Sequence, residues 1–178
     1  MKLLNEIIEA ATDQNISVAA TLRKCLILAF ELKNEKLKAW VEAELNGYDR
    51  SGEVPEYRKL HLHSKGNFQG PFGAWIPGRP LPMAVLEETH RKYLDPAILS
   101  EPIASYEEGV TKAEKSGEFV MNWSPDLIAQ YQRKFIHDYA LAQAWQELPS
   151  GAIISIVDSV RNRLVRTRVA GRIGSSQR

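Results

Sequence analysis

The chain has 178 residues, 44% hydrophobic and 25% charged, with a formal net charge of +1. This composition sits near that of folded domains and argues against general disorder, and the length supports a self-sufficient core that buries roughly two-thirds of the unfolded surface. The near-neutral charge excludes a global attraction to nucleic acid or anionic membrane, and the single Cys25 excludes an intrachain disulfide and a cysteine-built zinc site.

Leu4, Ile7, Ile8 and Ala11 recur at helical spacing, which predicts a short amphipathic helix over 2–11 that Asp13 to Asn15 interrupt. Glu6 and Glu9 lie inside this would-be apolar segment and no long uncharged run follows, so neither a signal peptide nor a membrane span is expected. A cytoplasmic protein is expected, in keeping with the lone cysteine. Ser17 is placed to cap a second helix with the stripe Val18, Leu22, Cys25, Leu26 and Ala29. Its apolar residues widen from Cys25 to Leu32 to nearly all sides, which predicts a helix touched on more than one face. Lys33 and Asn34 end it. Leu37, Trp40, Val41 and Leu45 give a third helix its buried face, and Gly47 stands where a left-handed C-cap is wanted.

Beyond Pro55 the period changes to two. Residues 57–64 and 67–76 are expected to pair as a hairpin punctuated by Gly66 and Gly70-Pro71, with Pro71 at an edge or bulge. Met83 to Tyr93 is moderately helical, and Asp95-Pro96 reads as the start of a helix reaching about Lys112. Phe119-Val120-Met121 is short enough for a strand, and Ser124-Pro125 caps a helix over 125–134. YALAQAWQEL suits a strand or a helix, and the alternation of Tyr139, Leu141 and Trp145 tips the reading to a strand that completes a small sheet with the hairpin. Ser150 caps a last helix with stripe Ile153, Val157, Val160 and Leu164, and a basic tail over 171–178 is expected to fray. The expected class is α+β and helix-rich, with about six helices, an N-terminal three-helix half and a small antiparallel sheet.

The chemistry-bearing residues assemble no site. His61 and His63 share a strand face, but His90 and His137 come with no spacing that closes a metal site. No G-x-S-x-G elbow occurs, and GNFQGPFG lacks the P-loop lysine. Glu42 and Glu44 are two apart on a helix, and Glu87-Glu88 and Glu107-Glu108 are adjacent, so each pair diverges and reads as solvated surface rather than an acid–base pair. No cofactor is indicated, and the absence of a catalytic set favours a non-enzymatic role. Arg161, Arg163, Arg166, Arg168 and Arg172 follow the last acidic residue, Asp158, and Arg161, Arg168 and Arg172 share one helix flank that can contact phosphate backbones. Among the aromatics, Trp40 is assigned to the core, while Tyr48, Trp75 and Trp145 suit either a core or a partner site.

The segments LLNEIIEAA, SVAATLRKCLILAFELKNEKLKAWVEAELNGY, PEYRKL, GNFQGPFGAWI, IASYEEG and VDSVRNRL resemble, in order, the AbiTii domain of bacterial abortive-infection proteins. The resemblance implies one AbiTii-like domain over 1–170 and a role in phage defence in a prokaryotic cytoplasm. It supplies no catalytic residues and implies a sensor, adaptor or oligomerising module that precedes a variable second region. After VRNRL the family pattern continues as a leucine-rich helix, whereas RTRVAGRIGSSQR here is basic, so a truncated or altered end is one expectation. A protein partner or self-association is therefore expected, with Tyr48, Tyr57 and Arg58 as the interaction surface. The alternative is a nucleic-acid-binding or nucleic-acid-processing effector using Arg161, Arg168 and Arg172.

Overall fold

A computed structural model describes the backbone of residues 2–116 and 119–174 and the side chains of 2–111 and 119–166. The described residues form α1 (Lys2–Thr12), α2 (Val18–Glu31), α3 (Glu35–Asn46), β1 (Lys59–Leu60), β2 (Ser64–Gln69), β3 (Trp75–Pro80), α4 (Glu88–Leu94) and β4 (Ala97–Ile98). They continue with α5 (Ile103–Ser116), β5 (Phe119–Asn122), α6 (Pro125–Tyr131), β6 (Ala140–Leu148) and α7 (Ser150–Gly174). This is an α+β fold with seven α-helices and two antiparallel sheets among the described residues. No helix among them is long and apolar enough to cross a membrane. The chain divides into two compact units, the first drawn from residues up to Arg58, Ser100–Lys115 and Gly151 onward, the second from Lys59–Leu99 and Ser116–Ser150.

The first unit is helical. α1 buries Ile7, Ala10 and Ala11, which are three and four apart and so share one face. The Ser17 side chain accepts from the Ala20 N–H at 3.3 Å and starts α2, whose buried residues include Val18, Leu22, Cys25 and Ala29. The second apolar side of α2 remains open, because Ile27, Phe30 and Leu32 stay more than half exposed. Asn34 does more than end α2. Its side chain accepts from the Leu37 N–H at 3.1 Å and starts α3. Gly47 closes α3 at φ 96°, and a Cβ there would lie 2.8 Å from the Ser100 carbonyl oxygen. Ile153, Ile156, Val160 and Leu164 form the buried stripe of α7, with Val157 half-buried beside it. The α7 backbone continues through Gly174, and residues 175–178 of the expected basic tail lie outside the described residues.

The second unit holds a four-stranded sheet in the order β3-β2-β6-β5 and the two-stranded ladder β1-β4. The ambiguous segment is a strand, since β6 pairs with β2 from Ser64↔Gln146 to Gln69↔Ala140 and with β5 on its other side. The hairpin is displaced from its expected position, as its strands are β2 and β3 rather than 57–64 and 67–76. Gly66, expected in a turn, sits mid-strand, where a Cβ would come within 2.5 Å of Leu141 Cδ1. Pro71 belongs to the connecting turn.

The Asp95-Pro96 start signal is also corrected. The Asp95 N–H donates to the Arg91 carbonyl at 2.8 Å and closes α4, Ala97 and Ile98 pair with β1, and the next helix begins only at Ile103. Phe68, Leu81, Leu86, Leu94, Trp123, Leu127, Tyr131, Leu141 and Ala144 form this unit's core on one face of the sheet.

Candidate functional site

Tyr48, Tyr57 and Arg58 converge, but on the interior of the first unit. Glu44, expected on a solvated face, is completely buried with Arg58, and the guanidinium Nη2 donates to Glu44 Oε2. The Tyr48 and Tyr57 hydroxyls each donate to Glu44 Oε1 at 2.6 Å, and the Trp40 indole N–H donates to the Tyr57 hydroxyl at 2.9 Å. Arg58 also donates to the Glu101 carbonyl at 2.7 Å and lies 5.1 Å from the ring centres of both Tyr48 and Tyr106. Burial, then the carboxylate, pushes the Tyr48 hydroxyl far above the usual phenol range. Burial and the same carboxylate raise Tyr57, and burial raises Tyr106. Arg58 has no surface to offer a partner, so the expected contact patch becomes an internal network for that residue. The signal was legible: Glu44 follows Trp40 by four and Val41 by three, which puts it on the apolar stripe of α3.

Two further charged residues are likewise committed within the first unit. Glu107 on α5 accepts from the Ser17 hydroxyl at 2.9 Å and from the Val18 and Ala19 N–H groups at 2.5 and 3.1 Å, so its carboxylate sits on the positive N-terminal end of α2. This corrects its reading as solvated surface. Arg161 donates to the carbonyls of Asp13, Gln14 and Ile16 at 2.9, 3.4 and 2.7 Å, fastening α7 to the turn between α1 and α2. Its guanidinium is thereby engaged by protein backbone. The side chains of Arg168 and Arg172 lie outside the described residues. Glu107 and Arg161 flank an open cleft of about 410 Å³ with Ile16, Ile154 and Asp158, and the bonds just described occupy both charged walls.

The histidines do not gather. His61 and His63 are exposed, His61 Nδ1 lies 2.6 Å from Asp95 Oδ1, His90 Nδ1 lies 2.9 Å from the Tyr131 hydroxyl, and His137 meets Asp138 at 2.8 Å. Among the described residues no three His, Cys, Asp or Glu side chains are grouped to hold a metal. Cys25 is buried, and burial pushes its thiol up to about 11. It is held as a neutral thiol rather than a nucleophile.

The tip of the β2–β3 hairpin exposes its aromatic side chains. Phe72 and Gly73 both have positive φ, 55° and 78°, and the Ala74 N–H donates to the Pro71 carbonyl at 3.0 Å. This is the primed turn whose twist suits hairpins, and its first central position ordinarily holds Asn, Asp or Gly. Here it holds phenylalanine, whose side chain is fully exposed. Trp75, three residues on and opposite Gln69, is 50% exposed. An aromatic in a left-handed backbone with no packing to compensate marks a site retained for another reason.

The AbiTii family model matches residues 2–168. The chain belongs to the AbiTii family. Membership links it to abortive infection, a form of anti-phage defence. The AbiTii match spans segments of both compact units, the Glu44 network and the Phe72 turn alike. No curated protein and no solved structure gives a significant match.

Proposed function

We propose that the chain is a non-enzymatic interaction module of a bacterial abortive-infection system, acting in the cytoplasm as one domain over 1–170 and holding a protein partner through the β2–β3 turn. The observation that carries this reading is the fully exposed Phe72 beside the half-exposed Trp75 at a tight hairpin turn. Large aromatic anchors on a pre-shaped backbone lose little entropy when a partner's pocket takes them, which makes them effective contact points. Two carboxylates with the chemistry for acid–base work are engaged internally: Glu44 by two tyrosines and Arg58, Glu107 by a helix end. The uninterrupted family match over segments of both compact units supports treating them as one functional domain. The alternative use of Arg161, Arg168 and Arg172 on nucleic acid rests on sequence alone, since Arg161 already holds three backbone carbonyls.

A plaque assay tests the reading. In a phage-sensitive host the wild-type chain lowers plaque formation, and Phe72→Ser/Trp75→Ser abolishes that protection while circular dichroism shows an unchanged fold. Equal protection by the double variant would remove the turn as the contact.

A further inference from the structure

We infer that α2 is a self-association surface, on which two copies of the chain pack antiparallel about a two-fold axis at Ile27. The inference concerns a surface separate from the Phe72 turn and does not depend on it. On the open side of α2, Ile27, Phe30 and Leu32 are 54%, 56% and 52% exposed although α2 buries Val18, Leu22, Cys25, Leu28 and Ala29 in the first unit. A helix that is apolar on nearly every side is one covered on nearly every side in its working state.

The charges on the same side point to a second copy as the cover. Arg23 and Glu31 lie four residues before and four after Ile27, and neither has an ion-pair partner among the described residues. They are eight residues apart, about 12 Å along the axis, and so do not reach each other within one helix. An antiparallel mate crossing at Ile27 brings Arg23 of each copy opposite Glu31 of the other, giving two identical ion pairs around an apolar centre. The same symmetry sets Lys24 opposite Phe30 of the second copy, with Phe30 already holding Lys38 over its ring at 4.7 Å. An isologous two-fold contact requires this kind of self-complementarity, in which one patch supplies both the knob and its partner. A chemically different partner would have no need for Arg23 and Glu31 to be equidistant from Ile27.

Light scattering after size exclusion of the full chain is the test, with a charge-swap series and a cysteine pair. The expected mass is twice the 20.1 kDa of the chain. Arg23→Glu sets like charges against each other and gives a monomer, and Arg23→Glu/Glu31→Arg restores the dimer with the pairs reversed. Ile27→Cys lies on the axis and forms a disulfide-linked dimer under mild oxidation. Ala20→Cys lies about 21 Å from its own counterpart in this arrangement and does not. The wild-type chain, whose Cys25 is buried, is the background control. A monomeric wild type, a dimer that Arg23→Glu leaves intact, or equal cross-linking at positions 20 and 27 overturns the inference.

Discussion

Glu44 and Arg58 face each other with neither side chain exposed, and the carboxylate also takes both tyrosine hydroxyls, from Tyr48 and Tyr57. A buried pair of this kind is hard to break from one side, because the remaining charge is left without its counter-ion in a low-dielectric surrounding. Glu44→Gln is expected to destabilise the chain by about 3–5 kcal/mol in urea unfolding, mostly through the stranded Arg58. Glu44→Leu/Arg58→Met removes both charges and should destabilise less than Glu44→Gln alone. A double variant as unstable as the sum of its singles would show that the two residues act independently.

The raised hydroxyls and thiol predict a loss of stability in alkali. Cys25 lies at about 11 in the folded chain against 9.0 for the free thiol, and Tyr48, Tyr57 and Tyr106 are raised above 10.0. Above these reference values the unfolded chain sheds protons that the folded chain retains, so the unfolded state binds fewer and the free energy of unfolding falls as pH rises. The stabilisation is complete below about pH 9 and declines through pH 10 and 11. Urea midpoints at pH 8, 10 and 11 should drop in that order, with the tyrosinate absorbance of Tyr48, Tyr57 and Tyr106 appearing only on unfolding. A midpoint independent of pH over this range contradicts the assignment. Cys25→Ala should flatten only the part between about pH 9 and about pH 11.

Gly66 is the position where the sheet leaves no room. A Cβ would meet Leu141 Cδ1 at 2.5 Å and the Gln143 carbonyl oxygen at 2.9 Å, and the second of these is backbone that cannot rotate away. Gly66→Ala is expected to cost about 1–3 kcal/mol through overpacking. Thermal melting measures it, and an unchanged midpoint would mean that β2 and β6 separate more easily than their register suggests.

The elements set by local chemistry were legible, and those set by distant partners were not. Ser17 and Ser124 could be read as caps because each accepts an N–H three residues on, and the β6 alternation survived its alanines. Asp95-Pro96 carries the local signature of a helix start, but the segment after it is claimed by β1, a pairing that no nearby residue announces. Glu44 was misplaced because its charge was weighted above its spacing, and only Arg58, distant in sequence, explains how a carboxylate is buried there. Phe72 was hidden for the opposite reason: primed turns are recognised by Asn or Gly at a position that here carries an aromatic.

Glu107 and α2 supply a fourth prediction. The carboxylate bonds two N–H groups and the Ser17 hydroxyl at a helix N-terminus, where negative charge is favoured. Glu107→Gln keeps the size but removes the charge and one strong acceptor. It should lower stability by about 0.5–2 kcal/mol, the range of a lost N-cap. Glu53→Gln, at an exposed residue, is the control for general surface charge. Equal effects from the two would assign the loss to net charge rather than to the cap.

Phe72 separates stability from function most directly. Holding a phenylalanine in the left-handed region costs about 1–2 kcal/mol, and glycine adopts the same conformation freely, although it gives up some of that gain by loosening the unfolded chain. Phe72→Gly is therefore expected to leave the melting temperature unchanged or raise it, by no more than about 1 kcal/mol of stability, since the exposed ring packs against nothing. The same substitution should abolish protection in the plaque assay, because it removes the anchor while preserving the turn. If Phe72→Gly destabilised the chain, the ring would be needed by the fold itself, and its exposure would no longer point to a partner. If it stabilised the chain and protection persisted, Trp75 would have to carry the contact, which Trp75→Ala then measures.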